Sequence, residues 1–293
     1  MATIHYQCPS CKTALSPERK CGACGVSFPH RSVGGTEITD FLLATRPAGE
    51  CRCPVDQASE RCNVFLDQLA PVPAEPFAEH YKSRILQPLR ASRDQVILDI
   101  GCREAPIGHL LAKDNCVVGV DRCPQKMLVS TPNALDKGYK ELWIADAAAL
   151  PVADAQADVI IATDLLEHVV TPEILLKEFH RALKPGGRIL ISVPNLVSYN
   201  NRLSILLGSG VGMELHLVLK GRCPVNPISG ARYPEQTQHL RFFTLKSLLR
   251  TVEACGFRAE RAWGYDPVLS RIPFGDRLLR NFCLLSVVLA VKS

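Results

Sequence analysis

Four cysteines near the N-terminus have the spacing of a metal site. Cys8 and Cys11 form one C-x-x-C pair, Cys21 and Cys24 form a second, and nine residues separate the pairs. Four thiolates can close a tetrahedral shell around Zn²⁺, and two such pairs on a short hairpin bring all four together. A single pair would leave a redox dithiol or unrelated thiols as alternatives. The two pairs therefore predict a small zinc ribbon over residues 1–48, whose folding energy comes from the metal.

A second set of chemistry-bearing residues follows predicted strands. VILDIG (96–101) is a buried strand that ends in a glycine turn before a helix, Asp121 ends the next strand, and Asp146 ends the third. A glycine turn at a helix N-terminus presents backbone N–H groups to a ligand. An acidic residue about 20 residues later accepts hydrogen bonds from ribose hydroxyls. Together these positions indicate an adenosine-containing cofactor at the carboxyl edge of a sheet.

The elements that would position these residues begin at Phe77. Short apolar runs alternate there with amphipathic stretches, which is typical of a parallel sheet with helices on both faces. The residue patterns predict helices over 77–89, 107–113, 124–130, 172–187 and 244–257, and strands over 96–101, 116–121, 142–146, 158–164, 188–195, 258–265 and 283–292.

The segment between the ribbon and this region reads as a linker. Residues 49–76 are rich in proline, and PVPAEP (71–76) favours an extended chain. Cys51, Cys53 and Cys62 lie in this linker, but their irregular spacing argues against a second metal site.

The composition limits the classes of function. The chain has 293 residues, 47% hydrophobic and 22% charged, with a net charge of +5, so it is not a disordered protein and has no strongly basic tract. RNA binding is permitted but not favoured. The longest apolar stretches, 203–213 and 283–291, are too short to span a membrane. No secretory signal is recognisable, and the odd count of 13 cysteines argues against a disulfide framework, so a cytoplasmic protein is expected.

The successive motifs resemble those of class I S-adenosylmethionine-dependent methyltransferases of the type 11-like group. The resemblance covers residues 77–293 and implies a Rossmann-like seven-stranded sheet whose last strand is antiparallel. It extends to HLRFFTLKSLLRTVEACGF (239–257), which is similar to a late helix of these enzymes. The segments that carry it are LDIGC (98–102), VVGVD (117–121), ADAAALP (145–151), DVIIATDLLEHV (158–169) and ALKPGGRILISVPN (182–195).

The resemblance assigns cofactor roles residue by residue. Asp99 and Gly101 would line the methionine end of S-adenosylmethionine, and Asp121 would hold the ribose hydroxyls. Asp146 would face the adenine amino group, with Ala147 beside the ring.

One departure from the family pattern concerns the glycine turn. The family usually has D-x-G-x-G-x-G, whereas this chain has Arg103 and Ala105 at the second and third glycine positions. Alanine is a mild change, but glycine at the second position often provides a positive φ or a close approach to the ligand. Arg103 either swings outward and pairs with the cofactor carboxylate or blocks the site. We expect retained binding, because the other motifs still provide what nucleotide recognition needs.

The residues after the fourth strand are candidates for methyl-acceptor chemistry. This segment begins at Asp164, which is predicted to bind the cofactor. Methyl transfer needs an in-line arrangement of nucleophile, methyl carbon and sulfur, and a hydroxyl acceptor also needs a base. His168 is the best base candidate, with Glu167 beside it, although the pair could simply begin a helix. His239 precedes the late helix and could close over the substrate.

The remaining features leave the acceptor open. Residues 196–238 form a long apolar insertion, which suggests a lid over a bulky organic or lipid-like acceptor, or else a homodimer interface. The leading hypothesis is O-methylation of a small or medium organic molecule. RNA base methylation is an alternative, because a zinc ribbon before this fold resembles some ribosomal RNA methyltransferases. A non-catalytic interaction protein is the third, and Arg103 is its main support.

Overall fold

The computed structural model divides the chain into two compact units. The first comprises Met1–Ile161, Lys177–Arg188 and Lys292, and the second comprises Ala162–Leu176, Ile189–Val291 and Ser293. The structure describes residues 4–33, 36–42, 83–102, 107–122, 134–208, 239–272 and 274–293. Some of the predictions above concern residues that are not among those described. They are the predictions for Arg103, Cys51, Cys53, Cys62, the linker at 49–76, the helix at 124–130 and most of the insertion at 196–238.

The first unit is built around a largely parallel sheet in the order β1-β2-β5-β4-β3-β6. The pairings β2–β5, β5–β4, β4–β3 and β3–β6 are parallel, whereas β1 and β2 are antiparallel. A short helix, α1 (His109–Ala112), and a 3₁₀ turn (Gln87–Leu89) accompany it. Its strands are β1 (His30–Val33), β2 (Thr36–Asp40), β3 (Val96–Ile100), β4 (Cys116–Asp121), β5 (Glu141–Ile144) and β6 (Ala157–Thr163), whose last two residues belong to the second unit.

The second unit contains strands in the order β7-β9-β8 and most of the helical segments. Within the described ranges, no helix is both long and apolar enough to cross a membrane. The strands are β7 (Leu183–Pro194), β8 (Phe257–Tyr265) and β9 (Leu285–Lys292), and β7 starts in the first unit. The helices are α2 (Pro172–Ala182), which ends in the first unit, α3 (Tyr199–Leu206), α4 (Leu245–Ala254) and α5 (Gly275–Leu278), with 3₁₀ turns at Leu166–His168 and Leu269–Arg271.

The strand register explains how the cofactor candidates come together. Every residue of β3 is buried, as is β4 after its first residue, which is why both strands are continuous apolar runs. Ile100 pairs with Val120, and Asp121 pairs with Ile144. Because the strands are parallel and in this register, the carboxyl ends of β3, β4 and β5 meet at one edge. The predicted Rossmann-like α/β fold and its seven strands, β3 to β9, are confirmed.

Two strands were not expected. β1 and β2 fall within the range assigned to the ribbon, and β2 extends the sheet by pairing Thr39 with Trp143 and Asp40 with Ile144. Both strands are short and are bordered by glycine or proline, so periodicity could not reveal them. The ribbon boundaries at 1–48 stay a prediction.

The predicted end of one helix was wrong. α2 ends at Ala182 rather than Gly187, and β7 starts at the next residue. Pro185 disfavours helical geometry at Lys184, and the Lys184 ammonium lies 2.7 and 2.8 Å from the two carboxylate oxygens of Asp158. The Pro-Gly-Gly sequence therefore lies within β7, where Gly186 interrupts the extended backbone with a φ of 73°.

Candidate functional site

The four N-terminal cysteines form a compact sulfur cluster. The Sγ atoms of Cys11 and Cys21 are 3.3 Å apart, those of Cys8 and Cys24 are 3.7 Å apart, and those of Cys11 and Cys24 are 3.8 Å apart. All four Sγ atoms lie within 4.8 Å of one another. A Zn–S bond of about 2.3 Å gives an edge of roughly 3.8 Å in a tetrahedron. The cluster therefore has the dimensions of a tetrahedral thiolate site.

The two C-x-x-C pairs have the same backbone geometry. The Lys12 N–H donates to the Cys8 carbonyl, and the Gly25 N–H donates to the Cys21 carbonyl, both at 2.9 Å. Lys12 and Gly25 both have a positive φ, 61° and 73°. Such a left-handed residue after each pair turns the chain sharply and directs both thiols inward.

Asp99 holds the glycine turn together at the end of β3. One oxygen of its buried carboxylate, Oδ2, accepts hydrogen bonds from the Gly108 N–H at 3.0 Å and the Tyr139 hydroxyl at 2.5 Å. A Cβ at Gly108 would lie 2.7 Å from Val117, so the close approach needs glycine. Gly101 has a φ of 75°, and its N–H donates to the Val120 carbonyl at 2.8 Å. Asp99 therefore positions the turn through its own hydrogen bonds.

Tyr139 is a site residue that the sequence analysis missed, and Cys102 packs beside it. Burial and the charge of Asp99 raise the pKa of Tyr139, which keeps the phenol protonated as a donor. Burial, followed by the charges of Asp99 and Asp121, raises the pKa of Cys102. Cys102 is thus an inert packing thiol. Tyr139 lies in a loop before β5, and no local pattern links it to Asp99.

Asp121 and Asp146 lie at the expected strand ends. Asp121 is buried and is the last residue of β4. Asp146 follows β5 and its Oδ1 accepts from the Ala148 N–H at 2.9 Å, which closes a tight turn. Ala147 in this turn is half-buried. The structure therefore brings Gly101, Asp121 and Asp146 to one edge of the sheet, as the sequence predicted.

Glu167, His168 and His239 form a cluster in the second unit. Oε1 of Glu167 is 3.9 Å from Nε2 of His168 and 4.0 Å from Nε2 of His239. The two imidazole rings meet edge to face, with centroids 4.9 Å apart. Glu167 is only 2% exposed. One ligand atom from each residue lies within 4.8 Å of the other two, so these side chains could also hold a metal ion.

The backbone ties the two segments of this cluster together. The N–H groups of Leu240 and Arg241 donate to the Glu167 carbonyl at 2.7 and 3.0 Å. The Arg241 guanidinium donates to the Val170 carbonyl through Nε at 2.9 Å and through a second nitrogen. These bonds place His239 beside His168 although the two are far apart in sequence. The structure thus joins all three residues that the sequence proposed for catalysis.

Asp164 has a strained backbone at the end of β6. Its φ is 52°, a left-handed conformation that is uncommon outside glycine. Its N–H donates to the Ser192 carbonyl at 2.9 Å, and the Ser192 hydroxyl lies 3.3 Å from its Oδ1. Strain of this kind persists where the surrounding structure fixes it, which often occurs at functional sites.

Comparison with known proteins gives a family match over more than half of the chain. A family model described as "Methyltransferase domain" matches residues 74–262. The chain is 32% identical over 163 residues to a ubiquinone biosynthesis O-methyltransferase of Idiomarina loihiensis, covering 54% of this chain and 59% of that protein. It is 26% identical over 192 residues to the Aeromonas salmonicida protein of the same name, covering 64% of this chain and 73% of that protein. For the first three curated relatives, the match spans 38% to 73% of their lengths.

A solved structure with a similar fold is that of a SAM-dependent methyltransferase from Methanosarcina mazei. It is 20% identical, with a TM-score of 0.50, and the match covers 75% of this chain and 99% of that one. At this identity the likeness concerns the fold alone. The predicted class of S-adenosylmethionine-dependent methyltransferase is confirmed at the level of the family.

Proposed function

This chain belongs to the methyltransferase domain family, and we propose that it transfers the methyl group of S-adenosylmethionine to a hydroxyl oxygen of a small or medium organic acceptor. The observation that carries the choice of hydroxyl is the buried Glu167 carboxylate with two imidazoles within 4.8 Å. A hydroxyl acceptor needs a base to accept its proton, whereas a thiolate or a preformed carbanion depends less on a base.

In the proposed reaction the acceptor oxygen attacks the methyl carbon. The bond between sulfur and the methyl carbon breaks as the bond between oxygen and carbon forms, and S-adenosylhomocysteine leaves. His168 accepts the hydroxyl proton, and Glu167 stabilises the imidazolium that results. His239, held beside His168 by the Leu240 and Arg241 backbone bonds, orients the acceptor.

The first unit provides the residues proposed to bind the cofactor. Gly101 approaches the methionine end through its backbone, and Asp121 accepts hydrogen bonds from the ribose hydroxyls. Asp146 and Ala147 recognise adenine from the turn after β5. Asp99 acts by positioning the turn, since Gly108 and Tyr139 share one of its carboxylate oxygens. Arg103 is proposed to pair with the cofactor carboxylate, and Asp164, a residue of the second unit, stays a predicted cofactor contact.

The names of the relatives support a small-molecule acceptor. Both are called ubiquinone biosynthesis O-methyltransferases, and the identities are 26% and 32%. Together with the apolar insertion at 196–238, this favours a bulky or lipid-like organic hydroxyl compound. RNA methylation, a homodimer and a cytoplasmic location stay predictions.

The four cysteines are proposed to bind one structural Zn²⁺. The sulfur spacings and the repeated backbone geometry of the two pairs support this assignment. All four positions of a tetrahedral shell would be filled by protein, which is typical of structural rather than catalytic zinc.

Methyl transfer can be tested with S-adenosylmethionine that carries a deuterated methyl group. The purified protein is incubated with a panel of phenolic compounds and, as matched controls, their O-methyl ethers. We expect the label in the phenols and none in the ethers, measured by mass spectrometry. Label on nitrogen, or no transfer by protein that binds the cofactor and each acceptor, would contradict hydroxyl methylation.

A further inference from the structure

The N-terminal ribbon contacts the start of β5 through a group that we call the ribbon clamp: Tyr6, Arg19 and Glu141. The Tyr6 hydroxyl donates to Oε2 of Glu141 at 2.7 Å, and the Arg19 guanidinium lies 3.5 Å from the same oxygen. The guanidinium carbon also lies 3.2 Å from the centroid of the Tyr6 ring. The indole N–H of Trp143 adds a third donor to Oε2, at 2.9 Å. One carboxylate of β5 therefore joins two segments of the ribbon.

The ribbon also pairs with the chain that leaves the sheet after β5. Tyr6 and Val152 form an isolated antiparallel bridge. The Gln7 N–H donates to the Pro151 carbonyl at 3.2 Å, and the Ala153 N–H donates to the His5 carbonyl at 2.9 Å. These contacts begin directly before Cys8, the first of the cluster cysteines.

A third contact reaches the same loop through an acidic residue of α2. The Lys12 ammonium lies 3.8 Å from Oε1 of Glu178, and this oxygen accepts a 2.7 Å hydrogen bond from the Leu150 N–H. Glu178 is itself paired with Arg181 at 2.7 Å. The pairing with Lys12 is partly exposed, so it contributes less than the ribbon clamp.

The contacts surround the loop proposed to recognise adenine, residues 145–150, which we call the adenine-side loop. Its ends, Ala145 and Leu150, are buried, whereas Asp146–Ala149 are half-buried. The ribbon clamp contacts Glu141, the first residue of the strand that leads into the loop, and the ribbon backbone bonds to Pro151 and Ala153, which directly follow the loop. A loop that is anchored through the strand before it and the segment after it has fewer conformations to lose, which lowers the entropy lost on ligand binding.

We propose that the ribbon positions the adenine-side loop, so that Tyr6, Arg19 and Glu141 set the affinity for the adenine half of the cofactor without touching it. This inference rests on the proposed function, because it presumes that Asp146 and Ala147 recognise adenine. It gives the ribbon a role in cofactor selection within the methyltransferase itself. The three clamp residues are positioning residues.

The test compares two nucleoside ligands in calorimetry: S-adenosylhomocysteine and S-inosylhomocysteine, which carries an oxygen in place of the adenine amino group. The variants are Tyr6→Phe, which removes one hydrogen bond, and Arg19→Gln. Lys20→Gln is the matched control, because it removes a neighbouring, exposed ribbon charge outside the clamp. Zinc content and the thermal midpoint are measured for each protein to show that the ribbon is folded.

Tyr6→Phe and Arg19→Gln are expected to weaken S-adenosylhomocysteine binding by roughly 3- to 10-fold, because a less ordered adenine-side loop loses more entropy when the ligand binds. The affinity of these two variants for S-inosylhomocysteine should change less, so their preference for adenine should fall. The control Lys20→Gln should keep the wild-type preference. Unchanged affinity in zinc-loaded clamp variants, or equal losses for both ligands, would overturn the inference. A wild-type protein that binds neither ligand would instead contradict the proposed function.

Discussion

In the proposed reaction, Glu167 supports the base His168 in activating the acceptor. It is a buried carboxylate, 2% exposed, and its Oε1 lies 3.9 Å from Nε2 of His168 and 4.0 Å from Nε2 of His239. A carboxylate beside an imidazole favours the protonated form of the ring, so it assists a base that must accept a proton. The same three side chains also have the chemistry of metal ligands.

Replacing His168 with Asn should lower kcat by about 10²- to 10⁴-fold, because the base is lost. The affinity for S-adenosylmethionine should change little. Steady-state kinetics and calorimetry measure the two quantities, and His180→Asn on α2 is the matched control. Equal loss of kcat and cofactor affinity would contradict the assigned role. If added divalent metal restored the activity of His168→Asn to the wild-type level, the role of the cluster would be metal binding rather than proton transfer.

The sequence predicted these residues only in part. Glu167 and His168 are adjacent after a β-branched strand, so a motif can identify them. His239 is far along the chain, and its place beside His168 depends on backbone bonds to Glu167 that no periodicity encodes. Tyr139 was missed for the same reason, because its bond to Asp99 joins two loops.

At the scale of elements, Asp158 joins residues of the first unit that belong to three strands. It lies in β6, accepts the Val96 N–H at the start of β3 at 2.8 Å, and pairs with Lys184 at the start of β7. A single carboxylate thus fixes the ends of neighbouring strands. This explains why β7 begins before its Pro-Gly-Gly sequence.

Asp158→Asn should reduce the free energy of unfolding by about 1–3 kcal/mol, since hydrogen bonds to a charged group are weakened. Urea unfolding followed by circular dichroism measures the change. Asp136→Asn, at an exposed position, is the matched control and should change stability by less than about 0.5 kcal/mol. Equal effects of the two substitutions would show that the strand ends do not depend on Asp158.

The elements of the sheet could be predicted because buried parallel strands are continuous apolar runs. β3, β4 and β6 follow this pattern, and their observed bounds differ from the prediction by one residue at most. β1 and β2 could not be predicted, because β2 depends on pairing with β5, and β1 on pairing with β2, rather than on their own composition. The end of α2 was misplaced because a Pro-Gly-Gly sequence can follow a helix or continue a strand.

For the whole molecule, the cysteine cluster is expected to stabilise the first unit through zinc. Cys21→Ser removes a buried ligand and should abolish stoichiometric zinc and lower the thermal midpoint, because metal binding supplies folding energy. Cys116→Ser, outside the cluster, should keep the zinc. Metal content by mass spectrometry and thermal unfolding measure the two effects. Full zinc occupancy in Cys21→Ser would contradict the four-thiolate site.

The central claim is that the carboxyl edge of β3, β4 and β5 binds S-adenosylmethionine despite the altered glycine turn. Its most direct test is calorimetric titration of S-adenosylmethionine into the zinc-loaded wild type and Asp121→Asn, with Asp136→Asn as control. We predict one bound cofactor per chain in the wild type and no change in the control. Binding to Asp121→Asn should be at least about 10-fold weaker, because the ribose hydroxyls lose hydrogen bonds to a charged carboxylate. Absence of binding by folded wild-type protein would contradict the account and favour a non-catalytic protein whose Arg103 closes the site.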